Sequence, residues 1–188
     1  MSTLGLTFLG SCFWGVEHLY RKHFSGKGLL DARVGYIGGD INNPTYRAVC
    51  AGTTGRGYPD SPFFDSQLTY FDPGVDAEAL QVLYDPSKVS YEDLIEFFFR
   101  MHDPTTVDRQ GPDVGSQYRS AIFYHSPEQE AIARKITDAA QKQWWASKKL
   151  ATQLIPAGQW WDAEEYHQLY LDNSKLPALS EIIQLRKT

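Results

Sequence analysis

The sequence predicts an α+β fold: helices packed on a mixed β-sheet, with a ferredoxin-like, split β-α-β core and long irregular loops. Three observations lead there. Short apolar or alternating runs of strand length interleave with amphipathic helical runs, in the order β-α-β, irregular loop, β-α-β-α-β. The interleaving lacks the regular parallel rhythm of a doubly wound sheet. A chain of 188 residues, 42% hydrophobic and 14% aromatic, suffices for one core, so 1–188 is expected to form a single domain.

Leu4 to Leu9 is an apolar run with the length of a buried strand. Val16, Leu19, Tyr20 and Phe24 then fall on helical spacing, with Glu17, Arg21 and Lys22 on other faces. After the turn Ser25-Gly26-Lys27-Gly28, residues 29–36 read as a strand with Leu30, Ala32, Val34 and Tyr36 alternating. Asn43-Pro44-Thr45 opens a short helix or turn that sets Tyr46 and Cys50 four apart, on one face if helical. The stretch 55–74 has no steady period and is rich in Gly, Pro, Asp and aromatics, so it reads as a long ordered loop.

Residues 77–84 alternate as a strand, with Leu80, Val82 and Tyr84 on one side. Ser90 then caps a core helix through Met101, with acids in its first turn. A polar loop spans 102–117 and a strand 118–124. Ser126-Pro127-Glu128-Gln129 starts a helix that is expected to run to about Lys148. A strand over 151–155, a short helix over 162–171 and a C-terminal tail from 172 to 188 complete the expectation.

The charge and the motifs narrow the function. A net charge of −5 argues against nucleic acid as a partner. No apolar run approaches the roughly 20 residues of a membrane helix, and the N-terminus lacks the basic region of a signal peptide. Two cysteines make no disulfide framework, which points to a reducing compartment, the cytoplasm, and a monomer is expected. The glycines of 35–39 match neither a dinucleotide nor a phosphate loop. The five histidines show no metal spacing with each other or with the cysteines, so no metal site is expected. His102 and His167 are expected to fix loops by hydrogen bonds.

Cys12 stands where the first strand hands over to a helix, with Ser11 available as its cap. That position offers free N–H groups and the positive end of a helix dipole, either of which lowers a cysteine pKa and favours the reactive thiolate. The alternative is a small buried hydrophobe. Likewise Glu78 could be a solvated residue at a strand start, and Trp14 a core side chain.

The blocks Cys12-Phe13-Trp14-Gly15, Gly35-Tyr36-Ile37-Gly38-Gly39, Asn43-Pro44-Thr45-Tyr46, Tyr84-Asp85-Pro86, His102-Asp103-Pro104, Gly115-Ser116-Gln117-Tyr118-Arg119-Ser120 and Ala163-Glu164-Glu165-Tyr166-His167 resemble, in order, those of the A-type peptide-methionine (S)-sulfoxide reductases. The resemblance covers about 6–170 and is to a fungal-like member with 55–74 as an inserted loop. It implies the same α+β fold and reduction of methionine (S)-sulfoxide, free or in proteins, through a sulfenic acid on Cys12. By the same resemblance Glu78 supplies the proton, Tyr46 and Tyr118 donate to the sulfoxide oxygen, Phe13 and Trp14 wall the methyl pocket, and Asp113 holds its polar edge. No bound cofactor is implied; the electrons come from an external thiol such as thioredoxin. The chain departs from the family pattern in two places. Asp76 stands where histidine is common, and residues 174–188 lack the family's recycling cysteines. Cys50, the only other thiol, is therefore the candidate to form a disulfide with Cys12. Two other classes remain open: a cysteine hydrolase or acyltransferase pairing Cys12 with His102 or His167, and a non-catalytic module binding methionine peptides.

Overall fold

The computed structural model describes residues 4–9, 12–52 and 76–174. The 55–74 loop, Ser11 and the tail beyond 174 lie outside the described residues. The chain begins with β1 (Leu4–Leu9), α1 (Phe13–Phe24) and β2 (Leu29–Ile37), then α2 (Tyr46–Cys50), β3 (Ala77–Tyr84) and α3 (Tyr91–Met101). A two-strand ribbon, β4 (Arg109–Gln110) and β5 (Asp113–Val114), and a 3-10 turn over Ser116–Tyr118 lead into β6 (Ala121–Tyr124) and α4 (Pro127–Gln143). β7 (Gln153–Pro156), β8 (Trp160–Asp162), a 3-10 turn over Glu165–His167 and α5 (Tyr170–Asn173) follow.

The main sheet has the order β7-β6-β1-β3-β2-β8. β3 is antiparallel to both β1 and β2, so those two run the same way with β3 inserted between them. That is a split β-α-β unit, and β6 antiparallel on the far side of β1 gives the ferredoxin-like order of the four central strands. β7 joins parallel to β6, which makes the sheet mixed as expected.

Period-two alternation sorts the side chains onto two faces. Leu6, Phe8, Val34, Tyr36, Leu80 and Val82 pack against α1 and α3 in the main core, where Phe8 stacks on Phe98 with ring centroids 5.3 Å apart. The opposite face carries a smaller cluster of Ile37, Ala77, Ala79, Ala121 and Phe123. The helices α3 and α4 begin as their sequences indicate. Ser90 and Asp93 form a reciprocal capping box on α3, worth about 1 kcal/mol, and Ser126 caps α4 ahead of Pro127.

Four expectations shift. Leu30 is 54% exposed, out of its expected alternation, because the β2–β3 register slips between Leu29 and Asp31. α4 ends at Gln143, not near Lys148. The Gln141 side chain holds the Trp145 and Lys148 carbonyls and the Leu150 N–H, turning the chain so that Trp145 is buried. The loop 102–117 contains the β4–β5 ribbon, and the strand after it starts at Ala121. In place of a helix over 162–171 there are an edge strand, a 3-10 turn and a four-residue helix. Trp160 and Trp161 drive that change by pairing with Ile37 and Tyr36 on the outer edge of β2.

The pairing of β8 demands glycine on β2. A Cβ on Gly35 would strike the Trp160 ring and the Trp161 carbonyl. Gly35→Ala is therefore expected to destabilise the fold by about 1–3 kcal/mol, the cost of forcing extra volume into a packed site. Urea denaturation measures it, and an unchanged midpoint would refute so close an approach.

Candidate active site

The site is assembled where α1 starts against the middle of the sheet. Cys12 itself occupies the cap position of α1, without a side-chain cap hydrogen bond, so the expected capping by Ser11 is displaced by one residue. The first helical N–H, that of Phe13, donates to Glu78 Oε2 at 3.4 Å. Glu78 lies on β3 opposite Tyr36, on the same face as Leu80 and Val82, and is 1% exposed. It is thus no solvated strand end. Its other oxygen, Oε1, is buried without a hydrogen-bond partner among the described residues.

This environment decides the protonation state of Glu78. Burial pushes its carboxyl up, the Phe13 N–H pulls it down, and the nearby charge of Asp113 adds a further upward push. Burial wins, and the group titrates at about 7 against an ordinary 4.5. An acid with an unclaimed oxygen is therefore available near neutrality.

Cys12 departs from expectation. The N–H groups of Trp14 and Gly15 do favour its thiolate, as the helix start suggested, but burial outweighs them. With the charges of Glu78 and Asp113 adding to burial, the thiol is pushed up to about 11 rather than down. The residue is half-buried and not sealed in the interior. A helix terminus lowers a cysteine pKa only where water or cations share the cost of the charge, and here two carboxyls face the sulfur instead.

The candidate donors converge on the same place. Tyr118 ends the 3-10 turn after β5 and is raised to about 12, first by burial, then by the fields of Glu78, Cys50, Asp113 and Cys12. Tyr46 opens α2, capped by Thr45, and its hydroxyl lies near enough to the Cys50 thiol one turn on for the two to shift each other's titration. The helical spacing of Tyr46 and Cys50 is realised, and Cys50 is exposed within the electrostatic reach of Glu78. Asp113 sits on β5, half-buried, close enough to act on both Cys12 and Glu78.

Phe13 and Trp14 belong to one aromatic cluster. Phe13 is buried, with its ring 6.5 Å from Tyr46, while Trp14 is half-buried and stacks on Tyr170 at 3.8 Å. Between them stands His167, whose ring lies 5.1 Å from Phe13, 5.5 Å from Trp14 and 4.7 Å from Tyr46. Trp14 Nε1 donates to His167 Nδ1 at 2.9 Å. An indole N–H can only donate, so His167 is neutral with its proton on Nε2. His102 is fully occupied elsewhere, bonded to the Phe98 carbonyl at 2.7 Å and the Ser120 hydroxyl at 2.8 Å. It fixes a loop, as expected, whereas His167 fixes the pocket.

Tyr170 and Glu164 are the members of this site that sequence patterning missed, and His167, expected to fix a loop, was not placed beside Trp14. They stand about 150 residues from Trp14, so no spacing could connect them; only the block Glu164-Glu165-Tyr166-His167 marked the segment. Asp76 is tied to the β2 end of the sheet. It is buried, its Oδ1 accepts the Gly39 N–H at 2.9 Å, and Asp113 is the carboxylate that acts on Glu78. Among the described residues no group of three or more His, Cys, Asp or Glu side chains could hold a metal ion. None of the described helices is long and apolar enough to cross a membrane.

The chain matches the family "Peptide methionine sulfoxide reductase" over residues 5–58 and 69–187. The unmatched ten residues fall inside the 55–74 stretch. A similar protein is the "Probable peptide methionine sulfoxide reductase" of Schizosaccharomyces pombe, 45% identical over 164 residues, covering 87% of this chain and 85% of the relative. Among solved structures, Mxr1 of Saccharomyces cerevisiae in reduced form aligns with a TM-score of 0.79 at 37% identity, covering 98% of this chain and 93% of that one. Mxr1 in complex with Trx2 aligns with a TM-score of 0.59 at 29% identity, covering 98% and 91%.

Proposed function

The chain belongs to the peptide methionine sulfoxide reductase family, and from that membership we propose that Cys12 attacks the sulfoxide sulfur while Glu78 protonates the oxygen. The enzyme reduces methionine sulfoxide at the expense of a thiol. In the first step a bond forms between the sulfur of Cys12 and the sulfoxide sulfur. The oxygen ends on the sulfur of Cys12 as a sulfenic acid, and the sulfide leaves. Cysteine loses two electrons and the sulfoxide gains them. Tyr46 and Tyr118 donate to the oxygen as its negative charge grows, and the Phe13–Trp14 cluster takes the S-methyl group. Asp113 borders the polar side.

The observation that supports this reading most is the buried carboxyl of Glu78, half-neutral near pH 7, one hydrogen bond from the residue after Cys12. A hydrolase would need a histidine paired with Cys12. The nitrogens of His102 are both committed elsewhere, and Nδ1 of His167 is committed to Trp14. The substrate is the S epimer, free or in protein. Incubating the enzyme with racemic methionine sulfoxide and dithiothreitol should leave only the R epimer on chiral analysis, and equal consumption of both would refute the assignment.

Recycling falls to Cys50. Its thiol condenses with the Cys12 sulfenic acid, forming the disulfide and releasing water, and an external dithiol of the thioredoxin type then reduces the pair. Two free thiols and that reductant suit the cytoplasm. After one equivalent of substrate, mass spectrometry should find the Cys12 and Cys50 peptides joined and lighter by two hydrogens. A persistent sulfenic acid on Cys12 would assign recycling to direct attack by an external thiol.

A further inference from the structure

We propose that Glu164 is a positioning residue for catalysis, acting through Tyr46. The inference rests on the reading of Tyr46 as a donor to the sulfoxide oxygen, and it assigns what holds that donor in place. Tyr46 is carried on a five-residue helix, far too short to hold its own direction in water. Glu164, from the connection between β8 and the 3-10 turn, supplies the missing anchor. Its Oε1 accepts the Tyr46 N–H at 3.1 Å, and its Oε2 accepts the Tyr36 hydroxyl at 2.7 Å.

These two bonds tie the first residue of α2 to β2, the strand that lies against β3 and Glu78. Burial pushes the Glu164 carboxyl up, but the Tyr46 N–H and Tyr36 hydroxyl outweigh it and hold the group below its ordinary value, which favours the carboxylate. Both bonds are therefore to a charged acceptor, the stronger class. The same turn braces the opposite wall, since His167 accepts from Trp14. No other described side chain bonds the Tyr46 N–H, and its hydroxyl is left for a substrate oxygen. Losing the anchor thus misdirects the hydroxyl without removing it, and a misplacement near 1 Å can cost roughly 100-fold in rate.

A double-mutant cycle tests this. Tyr46→Phe, Glu164→Ala, Glu164→Gln and the pairs with Tyr46→Phe are assayed for kcat and KM with methionine sulfoxide and dithiothreitol. Glu164→Ala should lower kcat roughly 10- to 100-fold with KM changed less than about threefold, and Glu164→Gln, which retains one acceptor, should recover part of the loss. In the Tyr46→Phe background Glu164→Ala should cost less than about twofold more, since the hydroxyl it serves is gone. Independent, multiplying losses overturn the proposal, as does a loss confined to KM. Should Tyr46→Phe alone leave kcat unchanged, the reading of Tyr46 as a donor fails instead. Thermal unfolding of each variant separates misdirection from loss of fold.

Discussion

Cys12→Ser is expected to abolish sulfoxide reduction, lowering turnover by at least about 10⁴-fold, while the protein stays folded and still binds methionine sulfoxide. The size of the loss follows from the chemistry. The step transfers an oxygen to the attacking atom, and sulfur can accept it as a sulfenic acid whereas a serine oxygen forms no comparable product. The substitution changes one half-buried atom at the cap of α1, and a serine there can cap the helix, so stability should move by less than about 1 kcal/mol. Dithiothreitol-driven turnover and calorimetric binding, measured on the same preparation, give the result. Turnover that survives the substitution would end the enzymatic reading, and a binding module would show no functional loss at all.

Glu78→Gln is expected to cost roughly 10²- to 10⁴-fold in turnover, the usual contribution of a positioned general acid, and to make the protein more stable. Both effects come from the same burial. A carboxyl that titrates at about 7 in the folded protein and near 4.5 when unfolded binds its proton more tightly when folded. The folded state is therefore favoured fully below 4.5, and that advantage is lost as pH rises through about 7. The displacement is worth at most roughly 3 kcal/mol, so glutamine should raise the unfolding free energy by up to that amount above pH 7 and by little below pH 4.5.

The thiol provides an independent readout of the same substitution. Glu78 is among the groups that push Cys12 to about 11, behind burial. Ultraviolet titration of the thiolate in Glu78→Gln should shift downward yet stay above the ordinary 9.0, because burial is untouched. On the proposed mechanism the productive pair holds one proton, with the sulfur bare and the carboxyl protonated. The first step should consequently speed up as pH rises through about 7 and slow again above about 11. A flat profile through 7, or a glutamine variant of native activity, would remove Glu78 from the proton's path.

Much of this architecture was legible in the residues. The alternation of Leu80, Val82 and Tyr84, the Ser90 and Ser126 caps and the i, i+4 pair Tyr46–Cys50 each carry local physics that the fold preserves. Errors arose where long-range contacts override local preference. Residues 162–171 read as a helix, but edge pairing of Trp160, Trp161 and Asp162 with β2 takes its expected start into a strand. The thiol of Cys12 departs from its local expectation first through burial and then for the same long-range reason. Its helix-start environment is local, whereas the opposing carboxyls arrive from β3 and β5, 66 and 101 residues away. Glu164 and His167 show the limit most plainly, since their partners Tyr36, Tyr46 and Trp14 meet them only once the sheet has closed.

The closeness of Tyr46 and Cys50, one turn apart on α2, bears on the order of events in the proposed cycle. A phenol has a single hydrogen to give, so on the proposed mechanism it would serve either the incoming oxygen or its neighbour's sulfur, never both together. Once the product departs, that hydroxyl would turn to Cys50 and favour its ionised form, the direction in which Tyr46 acts on the thiol. One side chain would thereby keep the two half-reactions from colliding: repair of the substrate first, regeneration of the enzyme second.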